Sequence, residues 1–181
     1  MGTRATVNYT SDLSIFPELK SLVAIGRAED LKKSNLRALA GLDEPTWTTM
    51  IDSCEPGDGG NHTSTWRGGR KITVGVLPEV CSRHNAPSRA WAIPSLARQA
   101  IGKDNAGVVV ALHRSEDAFA SVLAVARAFR EYTARSGDTD FQEVFVAAVH
   151  HNNPLEDGRF QPGIDGVRYA ARLVDMPPSV L

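Results

Sequence analysis

Histidines and carboxylates are the side chains whose placement in this sequence could support chemistry. His113 directly follows an apolar run ending at Leu112, and His150 and His151 follow another ending at Val149. If those runs are adjacent parallel strands, the three imidazoles line the carboxyl edge of one sheet, where α/β proteins bind ligands. Asp117 and Asp157 could add carboxylates, giving the donor set a divalent metal takes. The plainer alternative is three solvated histidines at strand ends beside loops. No fixed spacing ties them together, so that alternative is adopted, and no catalytic, cofactor-binding or metal-ligating residue is assigned. Cys81-Ser-Arg-His84 also has ligand-type residues, but a zinc site of this kind needs a second pair and none follows. A structural role is expected for it.

Other signatures of catalysis are missing from the sequence. It has no Gly-x-Ser-x-Gly elbow and no His-Glu-x-x-His pair. Gly57, Gly59 and Gly60 follow a helical pattern, and Gly68-Gly69 sits in a hairpin turn, so neither group forms a phosphate cradle between strand and helix. The 20 basic and 21 acidic residues leave a net charge of −1, which gives no footprint for nucleic acid or an anionic membrane. Arg83, Arg89, Arg98, Arg127, Arg130 and Arg135 are read as the solvated basic side of two helices. Two cysteines, Cys54 and Cys81, cannot build a disulfide framework, and the first residues lack an apolar signal core. A cytoplasmic location is expected.

The elements that must position these residues follow from hydrophobic periodicity. Runs at 21–25, 72–77, 108–112 and 144–149 read as strands, the last two continuously apolar as in strands buried on both faces. Residues 5–9 form a further strand, and 62–67 an edge strand joined to 72–77 through Gly68-Gly69. A helix starting at a Ser115 cap and leaving at Gly137 carries the stripe Phe119, Val122, Leu123, Ala126 and Phe129. A second helix runs from Pro87 to Gly102 with Trp91, Leu96, Ala97 and Ile101 inward and a kink at Pro94. A third spans 45–54 with Trp47, Met50 and Ile51, and 35–40 is a short helical turn. Residues 55–61 and 151–163 read as irregular loops. This alternation predicts a three-layer α/β/α fold around a mostly parallel central sheet.

The chain closes on an amphipathic helix in which Ile164, Val167, Ala171 and Val174 share a face, followed by Pro177-Pro178, which end it. That pattern suits a passage from one domain to the next: residues 1–160 as a domain and 161–181 as a linker helix and hinge, the helix face folding back on the sheet.

Residues 165–181 resemble the hinge of leucyl aminopeptidases, which joins their N-terminal and catalytic domains. The stretches 82–88, 119–129 and 135–137 resemble the probable-aminopeptidase branch of that family. The resemblance is good over about 72–181, and rests on order of elements alone before that. It implies the N-terminal domain of a cytosol-type aminopeptidase, with a fold similar to macro domains. The whole enzyme would be a metallo-exopeptidase, usually a hexamer, releasing N-terminal residues from peptides with two divalent metals (zinc, manganese or magnesium). Its metal-binding motifs are absent from this sequence, so no such residue is carried over, and the chain alone is expected to be inactive. The role implied for this portion is support of subunit assembly and of access to the active site, beside its own catalytic domain and sister subunits. The alternative is a macro-like module binding a nucleotide such as ADP-ribose, against which stands the missing glycine-rich diphosphate loop.

Overall fold

The computed structural model describes residues 4–129 and 141–175. Among them seven strands form one sheet: β1 (Arg4–Tyr9), β2 (Ser21–Gly26), β3 (Asn61–Arg67), β4 (Arg70–Val76), β5 (Ala106–Ala111), β6 (Phe141–His150) and β7 (Asn153–Pro154). The order is β1-β6-β5-β2-β4-β3, with β7 pairing β6. Neighbours from β1 to β4 run parallel, while β3 on β4 and β7 on β6 are antiparallel. Every residue of β5 is buried, which explains its unbroken apolar run: a central parallel strand has no solvent face. β3, by contrast, is exposed or half-buried throughout, as an edge strand is. Gly68 and Gly69, at φ 57° and 76°, make the tight β3–β4 turn, a pair of positive φ angles that hairpins of two residues require.

Helices cover both faces. A 3-10 turn Leu13–Glu18 and helices α1 (Ala28–Lys33), α2 (Leu36–Ala40) and α3 (Glu44–Asp52) pack on one face. Helices α4 (Ile93–Ala97), α5 (Ala118–Ala126) and α6 (Phe160–Asp175) pack on the other. The period of two along β2 sends Leu22 and Ala24 to the first layer and Val23 and Ile25 to the second. Asp43 starts α3 by accepting the Thr46 backbone N–H at 2.8 Å. The first face needs a bare backbone at Gly107, because a Cβ there would lie 2.8 Å from Phe16 Cε1 and 2.9 Å from Leu19 Cδ1.

Several elements differ from the sequence expectation. Six of the seven strands are those expected, and the 45–54 and 35–40 helices form to within two residues. The 87–102 helix shrinks to α4 and a 3-10 turn Arg98–Ala100. Arg89 adopts φ 56°, a left-handed conformation that no helix continues through, and Pro94 sits in the first turn of α4, where its missing donor costs nothing. Trp91 and Ile101 are therefore 36 % and 44 % exposed and not core. Ser115 does not cap: it lies inside a 3-10 turn, Ser115–Asp117, that precedes α5. Of the expected stripe Val122, Ala126 and Phe129 are buried and Leu123 half-buried, while Phe119 is 38 % exposed and burial extends to Ala118, Ser121, Ala124 and Val125. The expected exit at Gly137 lies outside the described residues.

Sequence periodicity left α1 and β7 undetected. β7 exists because β1 stops at Tyr9, so the free edge of β6 beyond it is taken by a hairpin. Its two-residue turn, His151-Asn152, has φ 47° and 67°, and asparagine and histidine are among the few non-glycine residues enriched in that left-handed region. Helix α6 starts four residues before Ile164 and packs through Phe160, Ile164 and the buried Arg168, whose Nη2 donates to the Ala5 carbonyl. Its upper end leaves the sheet, with Ala171 exposed and Val174 84 % exposed. The expected face thus folds back only over its first half. Pro177 and Pro178 lie outside the described residues.

Candidate functional site

After β2 the chain turns to the first helical layer through α1, and after β5 to the second through α5. β2 and β5 are neighbours, so their loops part in opposite directions. A crevice opens outside their carboxyl ends, the place where open parallel sheets bind ligands. Arg27 and Asp30 enter it from the β2 side, His113 and Asp117 from the β5 side, and Ser88 and Arg89 from the loop after β4. Together they border a hollow of about 20 Å³. A groove of about 180 Å³ flanks it toward Lys33, His151 and Asn152. Another, of about 350 Å³, lies toward Glu79, Cys81 and Arg114.

Arg89 is the structural anchor of this edge. It is 5 % exposed, and its guanidinium donates through Nε to the Pro78 carbonyl and through Nη1 and Nη2 to Pro87 and Glu79, both at 2.6 Å. Burial, followed by the nearby Arg27, pulls its pKa down. Three other buried polar atoms are not satisfied in this way. Arg27 Nε, Asp30 Oδ2 and Ser88 Oγ have no hydrogen-bond partner, although all three residues line the same hollow. An unmet buried polar group costs about 1–3 kcal/mol, and a hollow of about 20 Å³ is large enough for one ordered water beside such groups.

The three histidines do end up along one edge, since β5 and β6 are parallel neighbours. They do not converge on a common point. His113 Nδ1 lies 3.3 Å from Asp30 Oδ1, whereas the His150 and His151 rings pack on each other with centroids 4.0 Å apart. Arg114 holds Asp117 with bonds of 3.1 and 3.0 Å. Among the described residues no three His, Cys, Asp or Glu side chains approach as metal ligands would. The donor set therefore does not fit the metals that the family resemblance implies for the whole enzyme, and no step through a metal is assigned to this chain. Cys81 and His84 diverge as well: the thiol faces the carbonyls of Asn85 and Ala86, and the imidazole accepts from Arg83. Of the six arginines expected on a solvated helix side, Arg89 is buried in a loop and Arg83 lies outside any helix; Arg130 and Arg135 are not among the described residues.

Asp157 does different work from the one considered for it. Arg159 grips its carboxylate, with Nη2 at 2.6 Å from Oδ2, and the Arg159 backbone N–H donates to Oδ1 at 2.9 Å. The Phe160 N–H bonds the Asp157 carbonyl at 3.0 Å, so this turn launches α6. The Arg159 side chain, and then its backbone N–H, hold the Asp157 carboxyl down at about 2 from an ordinary 3.8. Because the folded value lies below the unfolded one, the stabilisation is complete above the unfolded value and is lost as pH falls through the folded one. Asp157→Asn should thus lower the thermal midpoint at pH 7, and the gap to the parent chain should close as pH approaches 2. A gap that stays constant down to that pH would contradict the assignment.

Comparison with known proteins agrees with this architecture. Residues 20–138 match the family model for M17 aminopeptidase N-terminal domain 2. That span begins well before the region where sequence resemblance was strong, and it leaves out the terminal hinge segment. The human protein named probable aminopeptidase NPEPL1 is 38 % identical over 58 % of this chain and 22 % of its own, and the mouse protein of that name is 36 % identical over the same shares. The chain therefore spans about a fifth of the length of these curated relatives. Leucyl aminopeptidase of Leishmania major, solved in complex with actinonin, superposes with a TM-score of 0.78 at 20 % identity, covering 99 % of this chain and 37 % of that one. Leucine aminopeptidase of Caenorhabditis elegans gives 0.71 at 20 % identity, over 98 % and 37 %. At such identities these structures establish the fold, and the family match extends over more than half of the sequence: the chain belongs to the M17 aminopeptidase N-terminal domain 2 family.

Proposed function

We propose that this chain is the non-catalytic N-terminal domain of a dinuclear-metal leucyl-type aminopeptidase, one that releases N-terminal amino acids from peptides. The observation carrying this reading is the unequal coverage: nearly all of this chain superposes on little more than a third of the Leishmania enzyme. The remainder of such an enzyme must hold the chemistry, because the described residues here supply no convergent ligand set. The domain's own contribution is to support oligomer assembly, a homo-hexamer in this reading, and to frame access to the active site. Residues 161–181 act as linker helix and hinge toward the catalytic domain, which agrees with the way α6 lifts from the sheet at its upper end. A cytoplasmic location belongs to the same reading; among the described residues no helix is long and apolar enough to cross a membrane.

Light scattering on the protein that carries this domain together with its catalytic portion tests the assembly role. A hexamer is expected, and removal of residues 1–160 should yield smaller species. An unchanged hexamer after that deletion would refute the role.

A further inference from the structure

We propose that β3 pairs edge to edge with β3 of a second copy of this chain, antiparallel about a twofold axis at Ser64, so that two sheets become one. The two outer edges of the sheet differ in how they are covered. In β1 the even-numbered residues bond β6, as the Thr10 N–H does to the Val146 carbonyl at 2.9 Å, so Ala5, Val7 and Tyr9 turn their backbone groups outward. Side chains of α6 occupy that edge. Gln161 accepts the Tyr9 N–H at 2.7 Å and donates to the Val7 carbonyl at 3.1 Å, and Arg168 donates to the Ala5 carbonyl. β3 pairs β4 on one side only. Among the described residues, the one side chain that bonds its outward groups is its own Asn61, whose Oδ1 accepts the His62 N–H at 2.8 Å.

The turn fixes which groups face away from β4. A two-residue loop makes Arg67 and Arg70 a hydrogen-bonded pair, so the alternation leaves His62, Ser64 and Trp66 with N–H and C=O pointing outward. The Ser64 and Thr73 hydroxyls, 2.8 Å apart, fit this assignment, since side chains lie closest at a non-hydrogen-bonded pair. β3 has no proline, lysine or bulge to blunt its edge, and it exposes Trp66 by 70 %. Its own copy is the occupant that the sequence favours. Thr63-Ser64-Thr65 reads the same in both directions, with an aromatic ring on either side at His62 and Trp66. An axis at Ser64 sets Ser64 against its own copy and His62 against Trp66, each pair exchanging both backbone bonds. Thr63 then faces Thr65, a β-branched pair, and Arg67 faces Asn61, so no like charges oppose each other. An axis at His62 or Trp66 would run one end of β3 past the strand of the other copy.

This contact deepens the assembly role proposed above by giving it one surface, while the open edge and its symmetry stand without that role. Sedimentation of the 181-residue chain over a concentration series, with residue-resolved amide exchange, tests it. A concentration-dependent dimer is expected. As it fills, exchange at the Ser64 and Trp66 amides should slow at least about tenfold, while Thr63 and Thr65, already bonded to β4, change little. Ser64→Pro removes an outward donor, which an edge strand tolerates, and Trp66→Lys places a charge on the edge. Each should weaken dimerisation at least about tenfold, and their thermal midpoints report whether they are folded. A chain still monomeric at about 1 mM would overturn the pairing. So would a dimer that both variants leave intact, or slowed exchange at these amides that arises without dimerisation and only in the longer protein, from another of its segments. The aminopeptidase reading is judged by turnover and its hexamer by light scattering of the longer protein, so a failure here is distinguished from a failure there.

Discussion

Trp47→Ala should bring the chain to the edge of unfolding, with a loss of about 3–5 kcal/mol against a total of about 5–15 for an ordinary domain. Trp47 lies in α3, is 2 % exposed and is among the largest fully enclosed side chains of the first layer. It packs in one cluster with Leu31, Met50, Ile51 and Phe16, and its indole N–H donates to the Leu31 carbonyl at 3.1 Å. Truncation thus opens a cavity and also removes one donor from the Leu31 carbonyl, which keeps the Ser34 hydroxyl at 2.8 Å. Trp47→Phe separates the two effects, since it keeps most of the volume and loses the bond; a loss of about 1–2 kcal/mol is expected. Urea unfolding followed by fluorescence of the remaining tryptophans and by circular dichroism measures both. A Trp47→Ala midpoint within about 1 kcal/mol of the parent at unchanged slope would show that the first layer does not depend on this residue.

Arg89→Ala is expected to cost about 2–4 kcal/mol, because the carbonyls of Pro78, Glu79 and Pro87 lose their common donor. The loss should be local first, with amide exchange rising across residues 78–92 before the sheet opens. Arg89→Lys keeps the charge but replaces a planar fork with a point donor, so it should restore less than half of the stability. Hydrogen exchange followed by mass spectrometry reads the locality. Unchanged protection across 78–92 in Arg89→Ala would mean that the guanidinium does not hold the loop.

These two residues show what the sequence made legible and what it did not. The strands were readable because burial on both faces writes unbroken runs such as 108–112, and the exposed edge at 62–67 carries a glycine turn beside it. Trp47 was readable because α3 is a regular helix with a proper cap, so spacing alone places it inward. The 87–102 segment misled for the opposite reason. Its apolar spacing is helical, but Arg89 is buried on three backbone carbonyls in a left-handed conformation, and nothing local announces a long-range bond of that type. The α6 face was misjudged because the residue that packs one turn after Ile164 is an arginine, whose buried carbonyl contact no hydrophobic pattern can express.

The candidate site was legible only in part. His113 follows a visible strand end, and its edge of the sheet was correctly located. Arg27, Asp30 and Ser88 were missed, because α1 is six residues long and Ser88 lay inside the helix expected there. The signal that would have pointed to Arg27 is positional: it directly follows Gly26 at the end of the central strand β2, on the edge where the sheet's connections part.

Hydrolysis of a leucine anilide in the presence of manganese tests the proposed function most directly, measured on the 181-residue chain and on a longer protein that joins it to the proposed catalytic domain. The account predicts metal-dependent turnover by the longer protein and none by this chain. Turnover by the 181 residues alone that a chelator abolishes would contradict it.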